Sequence, residues 1–401
     1  MHKAVRLFLY LSLCVMSLLQ SAQSADKPFP HLSWKDSDND AALDIGGALR
    51  ANYRHEDWNT SNYRNPPHLR FDTARVDASG HYQQLFFDSG FWFQDKRKYA
   101  IDRAFVGWRF NPQSNIQLGL PAKPFGLQPY PQFGWTFGIP FYMGFAIGAG
   151  GGIKYQYQNN GWSLDAAWFP WMEPPSVRFA ADVGDYTDLR NTIYASQGAQ
   201  RNEKRDQVNL RLARTFNDGD WNNALGGSLA ASRLYNNTTG DDGLFWAAGL
   251  HGVANYGPWH LTSQVIRFSY SPKNPPGVSD DSVLMGGNGL NPAYLIPAKA
   301  TTGALNLARD VEVAWGPVKK LRFYNDFSVL WKDKSGWSDS QMNTLGVQVF
   351  ALPVMFWVDL SWAKNVNPWG GALNATGWTS ASSTGSDKWY LRTNLNIGYY
   401  F

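Results

Sequence analysis

Residues 391–401 constrain the fold more than any other part of the chain. Leu391, Leu395, Ile397, Tyr399 and Phe401 fall on one side of a period-2 strand, and Arg392, Asn394, Asn396 and Gly398 fall on the other. One apolar face, one polar face and aromatics at the end suit a barrel with lipid outside and water inside. A last strand of a soluble sandwich would normally turn the polar face outward, so the pattern argues against that class.

The opposite end reads as an export signal. Lys3 and Arg6 precede an apolar run, Leu7 to Leu19, and Ala22-Gln23-Ser24 forms a small-residue cleavage site. Residues 1–24 are therefore expected to be removed, with the mature chain starting near Ala25. Residues 25–40 are expected to form a short periplasmic segment before a barrel over 41–401. Cys14 is the single cysteine and leaves with the signal, so no disulfide, thiol nucleophile or thiolate metal site is expected.

No later stretch is long and apolar enough for a membrane helix, and the mean hydropathy is −0.38. Yet aromatic residues make up 15% of the chain and glycine is abundant. A barrel wall needs only alternating residues and interfacial aromatic girdles, so this composition fits an outer-membrane barrel. The net charge of +4 is small and the basic residues are scattered, which does not suggest a nucleic-acid binder.

Alternating segments bounded by turn residues predict strands at 41–54, 70–82, 84–95, 100–110, 114–126, 151–158, 162–169, 207–216, 224–236, 244–257, 259–271, 303–316, 321–333, 340–352, 354–365 and 389–401. That is an all-β, transmembrane antiparallel β-barrel of about 16 strands, an even count as such barrels use. Tight connections follow even-numbered strands. Long ones, at 55–69, 127–150, 170–206, 272–302 and 366–388, follow odd-numbered strands. With both termini in the periplasm, every long connection then lies outside.

Alternation also sorts the charges. The inward basic set is Arg50, Arg75, Arg103, Arg109, Lys123, Lys154, Arg211, Arg322 and Arg392. The inward acidic set is Asp44, Asp77, Asp88, Asp165, Asp310, Glu312, Asp326 and Asp359. A lysine or arginine facing lipid at mid-depth costs about 2–4 kcal/mol, which favours the inward assignment. These residues are read either as pore lining or as wall salt bridges. A slight basic excess would favour anions. The 127–150 loop is aromatic and glycine-rich, unlike an exposed loop. It is expected to fold into the barrel and narrow it, with Tyr130, Phe133, Trp135, Phe137, Phe141 and Tyr142 on the inner wall or at the constriction; the alternative is packing on a neighbouring subunit.

Three segments resemble the phosphate-selective porin O and P family. They are Arg70-Phe71-Asp72-Thr73-Ala74-Arg75-Val76-Asp77-Ala78-Ser79-Gly80, then Gly119-Leu120-Pro121-Ala122-Lys123-Pro124-Phe125-Gly126, and Phe323-Tyr324-Asn325-Asp326-Phe327-Ser328 with Lys332-Asp333-Lys334-Ser335-Gly336. The resemblance implies a sixteen-stranded, homotrimeric outer-membrane porin passing small polar solutes passively. Phosphate selectivity does not carry over with it, because no lysine or arginine lies between Leu127 and Gly152. Small anions, sugars or aromatic acids all fit an aromatic constriction.

No enzyme is expected. The histidines are few and dispersed, and none stands in a serine-containing motif. No metal or cofactor is expected either: Asp36, Asp38 and Asp40 lack the glycine and glutamate spacing of a calcium loop and read as a solvated turn. An adhesive role through the long loops is the remaining alternative to a channel.

Overall fold

A computed structural model describes residues 29–58, 68–94, 98–171, 181–184, 200–287, 290–366, 369 and 387–401. The proposed signal segment lies outside the described residues, as does most of the 55–69, 170–206 and 366–388 connections.

The strands in chain order are β1 (Leu32–Asp36), β2 (Ala41–Glu56), β3 (Arg70–Tyr82), β4 (Leu85–Gln94), β5 (Lys98–Asn111), β6 (Ser114–Leu120), β7 (Gly152–Asn159) and β8 (Trp162–Phe169). They continue with β9 (Asp182–Val183), β10 (Asn202–Asp218), β11 (Trp221–Asn236), β12 (Asp242–Tyr256), β13 (Trp259–Ser271), β14 (Ser282–Gly287) and β15 (Leu290–Pro297). The last are β16 (Lys299–Trp315), β17 (Val318–Lys332), β18 (Ser340–Ala351), β19 (Val354–Lys364) and β20 (Tyr390–Tyr400). Among the described residues a short helix, α1 (Ile139–Tyr142), lies in the connection after β6.

Sixteen of these strands pair antiparallel with their neighbours into a closed transmembrane barrel. Closure is at β2 and β20, where Ala48 pairs with Tyr400 and Glu56 with Arg392. Backbone amides that met lipid unpaired would each cost several kcal/mol, so the sheet has to close on itself. At the seam β20 stops short of the end of β2. There β1 takes over the same edge, with Leu32 opposite Ile45 and Asp36 opposite Ala41. Gly46 marks the junction: a Cβ there would lie 2.6 Å from the Phe401 carbonyl oxygen, so only glycine lets the chain end pass so closely. The segment before the barrel is thus partly strand. Asp36, Asp38 and Asp40 belong to the turn that joins it to β2, where Asp36 Oδ1 accepts from the Asp38 and Asn39 amides.

Outward positions carry large apolar side chains all round the wall, among them Leu49, Val76, Val106, Leu118, Leu210, Leu229, Leu250, Leu305, Phe323, Leu345 and Tyr399, all exposed. The turn chemistry separates the two ends. One end has two-residue turns such as Asn160-Gly161, both at positive φ (47° and 80°), the mirror-image geometry that matches strand twist. The other end carries the long connections.

Two expectations need correction. The fifth strand does not run to residue 126; β6 ends at Leu120. Pro121 and Pro124 have no amide to give the ladder, so the chain leaves the sheet there. The 170–206 and 272–302 connections are not only loops, because β9, β14 and β15 form a small separate sheet, with Met285 opposite both Tyr294 and Val183. Its Val283, Leu284, Met285 and Ile296 are buried with Ile139, Phe141, Met143 and Phe145 against Phe245, Ile266, Phe268 and Tyr270 of the wall. The long-loop half of the interior is therefore an apolar core. On β13 the inner face changes along its length, from His260, Thr262 and Gln264 to Ile266, Phe268 and Tyr270.

Leu229, outward on β11 and 56% exposed, tests the lipid assignment. Leu229→Arg is expected to lower the unfolding free energy in lipid bilayers by about 2–4 kcal/mol, measured by reversible denaturant titration. A change within error would mean that this face does not meet hydrocarbon.

Candidate functional site

The connection between β6 and β7 turns into the barrel, and its backbone polar groups find their partners on the wall. At its root Ala122 bridges Ala149, and the Lys123 amide donates to the Gly148 carbonyl at 2.6 Å. Arg211 Nε donates to the Gly126 carbonyl at 2.9 Å, and the Gly126 and Leu127 amides donate to Ser228 Oγ (3.0 Å) and Gln264 Oε1 (3.3 Å). Further on, Thr262 Oγ1 and Asn306 Nδ2 both donate to the Pro131 carbonyl, at 2.5 and 2.6 Å.

Two wall carboxylates then hold the loop tip. Asp326 accepts from the Phe133 and Gly134 amides, the latter at 2.7 Å. Asp359 accepts from both the amide and the hydroxyl of Thr136 at 2.7 Å, and from the Tyr324 hydroxyl. Ser328 Oγ receives the Ile139 amide at 3.0 Å as α1 begins. A buried backbone amide left unpaired costs about as much as a lost hydrogen bond, so the polar inner positions of β10–β13 and β16–β19 are what make this path possible.

The six aromatic residues singled out in the sequence divide into three groups. Tyr130, Phe137 and Phe141 form a row, with Phe137 stacked on Phe141 at 3.9 Å and Tyr130 on Phe137 at 5.7 Å. Phe141 and Tyr142 sink into the apolar core, whereas Tyr130 keeps 37% of its surface exposed to the bore. Trp135 packs on Trp357 (5.4 Å) and on the Arg50 guanidinium (4.6 Å), whose position over the Trp92 ring is 4.4 Å from the centroid. Phe133 lies near His260 and below the Arg322 guanidinium.

Most of the inward charges are in ion pairs. Arg50 Nε is 3.4 Å from Asp72, Arg75 Nε is 2.7 Å from Asp77, and Arg322 Nε is 2.6 Å from Asp310. Arg103 meets three carboxylates: Asp102 at 2.8 Å, Asp88 at 2.9 Å and Asp77 at 3.6 Å. Arg392 pairs with Glu56 at 2.8 Å, Arg211 with Asp165 at 3.6 Å, and Lys123 with Asp182 at 2.9 Å. Asp44 lies 3.4 Å from His31. Arg109 sits over the Phe86 ring, and Glu312 is exposed opposite Lys320 in register near the β16–β17 turn. Lys154 Nζ reaches the Ala122 carbonyl at 3.3 Å. The structure thus brings Arg50, Arg75 and Arg103 with Asp77 and Asp88 to one patch of β2–β5. Arg322 and Asp310, and Arg392, stand apart from it.

Sequence reasoning missed Asp72 and Asp102, and the cause is local. Arg50 pairs with Thr73 and Ala51 with Phe71, so Asp72 is the extra residue of a bulge. Likewise Gly90 pairs with Arg103 and Phe91 with Ile101, leaving Asp102 extra. Each bulge breaks the strict alternation and turns a carboxylate to the arginines. Glu56, Lys204 and Lys320 were also missed, all lying at strand ends or in connections where the period is short.

A sixteen-stranded barrel with an inward-folded loop after its fifth strand is a fold that solved outer-membrane porins and channels share. Solved structures with this fold include the outer-membrane channel DcaP of Acinetobacter baumannii (TM-score 0.58, 11% identity, 92% of this chain and 99% of that one). They also include Salmonella typhi OmpF (TM-score 0.56, 12% identity, 93% and 100%) and an anion-selective porin from Comamonas acidovorans (TM-score 0.53, 14% identity, 90% and 100%). At these identities the likeness is one of fold. No protein-family model matches the sequence, and no curated protein matches it.

Because Asp326 and Asp359 hold the loop tip, replacing both with alanine should release it. Limited proteolysis is expected to cut within residues 130–148 in the double variant and not in the parent. Each charged hydrogen-bonded site is worth about 1.5–3 kcal/mol, so a matching loss of stability should accompany the cleavage. Equal protease resistance would show that other contacts suffice.

Proposed function

We propose that this protein is an outer-membrane porin that lets small polar solutes diffuse passively. The observation that carries the reading is the inward loop held on one side of a closed barrel, with the charged inner face of β3–β5 across from it. In this reading residues 1–24 direct export, residues 25–40 and the two-residue turns are periplasmic, and the long connections face outward. Homotrimer formation is supported by the fold and by Vibrio cholerae OmpT, a neighbour of TM-score 0.54 and 14% identity described as an outer-membrane protein in trimer form.

Ion preference is proposed to be small and weighted to anions. Most inward guanidiniums are compensated at short range, so their fields largely cancel beyond a few ångströms. The remainder is assigned to Lys154, whose Nζ contacts the Ala122 carbonyl, and to Lys123 and Lys204, which share the one carboxylate of Asp182. Phosphate and other small anions belong to the class this would favour.

Planar-bilayer recording tests the channel directly. Deleting residues 130–148 should raise single-channel conductance, and an unchanged conductance would discard the constriction. In a salt gradient, Lys154→Glu should move the reversal potential toward cation preference, and charge reversal at Arg103 or Lys123 should act in the same direction. An unmoved potential for Lys154→Glu would remove that residue from selectivity.

A further inference from the structure

Three tight turns each deliver a tryptophan to the outer wall as the first residue of the next strand. Trp162 follows Asn160-Gly161, Trp221 follows Gly219-Asp220, and Trp259 follows Gly257-Pro258. All three are exposed. Strand register sets an arginine beside two of them: Arg214 of β10 lies directly opposite Trp162, and Arg309 of β16 directly opposite Trp259. Each guanidinium carbon stands 5.1 Å from the centroid of its indole. Between the two pairs Trp221 packs on Tyr256 at 4.7 Å, and Tyr256 lies opposite Trp259, so the aromatic row is continuous over β11, β12 and β13.

Arg214 and Arg309 are exposed on a wall of large apolar side chains, and among the described residues no carboxylate lies within ion-pair distance of either. Outward arginines at the long-connection end differ: Arg233 is held by Asp206 and Asp242, and Arg267 by Asp333. An indole against one face of a guanidinium fixes its plane and leaves its N–H edge free to donate. Toward mid-membrane the next outward neighbours are leucines, Leu164 opposite Leu212 in one case and Leu261 opposite Leu307 in the other. Each place thus offers a planar cation in the aromatic belt, where headgroups stand, and a leucine pair one step deeper.

We infer that Arg214 with Trp162, and Arg309 with Trp259, form two outer-wall sites for the phosphodiester of a membrane phospholipid. The inference goes beyond the porin reading and takes from it only the orientation that puts the short turns in the periplasm, beside the phospholipid leaflet. Two N–H groups of one guanidinium donate in parallel to two oxygens of one phosphate, a charge-assisted contact that lysine does not reproduce. The acyl chains of the same lipid lie along the leucines below and bury apolar surface there. Free phosphate gains the first contact without the second, so the lipid is the favoured occupant. The acids that hold Arg233 and Arg267 disfavour an anion at the other end of the wall.

The test uses the full-length protein in detergent, with dioleoyl phosphatidylglycerol as probe and native mass spectrometry to count the lipids retained per chain. Two are expected at saturation, and Arg309→Gln should leave one. Arg214→Gln combined with Arg309→Gln should raise the half-saturating lipid concentration by roughly tenfold, the order of a lost charge-assisted contact. Arg267→Gln, at the other end of the wall, should leave it unchanged. Dioleoylglycerol, which has the chains without the phosphate, should not be retained, and excess inorganic phosphate should not displace the lipid. Equal retention by parent and double variant, equal retention of dioleoylglycerol, or displacement by inorganic phosphate overturns the proposal; the last outcome marks a site for the free anion. A double variant that loses the parent's oligomeric state, with no lipid on either, also overturns it and makes this face an interface between copies. Either single variant decides the matter if the double variant does not fold. Planar-bilayer conductance of the same preparations keeps the two readings apart. A parent that binds the lipid without conducting fails only the channel, and one that conducts while binding none fails only the lipid sites.

Discussion

Backbone hydrogen bonding in a medium without water governs this structure. Every amide and carbonyl at hydrocarbon depth needs a partner from the protein itself, and a sheet of tilted strands supplies that only by closing. Closure fixes the pairing of β2 with β20 and therefore the even strand number. It also explains why β1 lies along the edge of β2 that β20 leaves open, with glycine where the chain end passes. The apolar outer wall follows from the same requirement, since side chains that face lipid contribute to stability only when they have nothing to solvate.

The interior meets a second form of the same demand. The β6–β7 connection carries too many aromatics to sit comfortably in water, and inside the barrel its backbone would be stranded without partners. The wall resolves this with carboxylates, amides and hydroxyls at Asp326, Asp359, Gln264, Asn306 and Ser328, each engaged with a loop amide or carbonyl. Wall acids that alternation alone presents as pore lining are thus partly structural. The apolar half of the interior works differently: Ile266, Phe268 and Tyr270 on β13 extend inward and receive the loop and the β9–β14–β15 sheet as a core.

Charge in the bore is arranged by bulges as much as by alternation. Without the bulges at Asp72 and Asp102, the three arginines of β2, β3 and β5 would face only Asp77 and Asp88, and guanidiniums would outnumber carboxylates in the patch. With them it becomes a set of alternating donors and acceptors. Short-range compensation of this kind weakens the field on a passing ion while increasing the hydrogen-bonding capacity shown to a neutral solute.

Period-2 alternation determined the sixteen strands of the barrel and the separation of short turns from long connections, though not β1 or the β9–β14–β15 sheet, because burial against lipid on one side fixes register residue by residue. The prolines at 121 and 124, which end β6 early, were present in the sequence, and so was the reversal of phase at Val265-Ile266, after which Ile266, Phe268 and Tyr270 alternate with Arg267 and Ser269 and mark the apolar inner face of β13. Only the tertiary structure decided which wall groups the loop would meet, that Trp135 would stack on Arg50, and that two bulges would turn Asp72 and Asp102 inward. The reason is physical. Alternation is a property of one strand against its solvent, whereas loop path, ion pairing and bulge position depend on residues brought together from strands far apart in the chain.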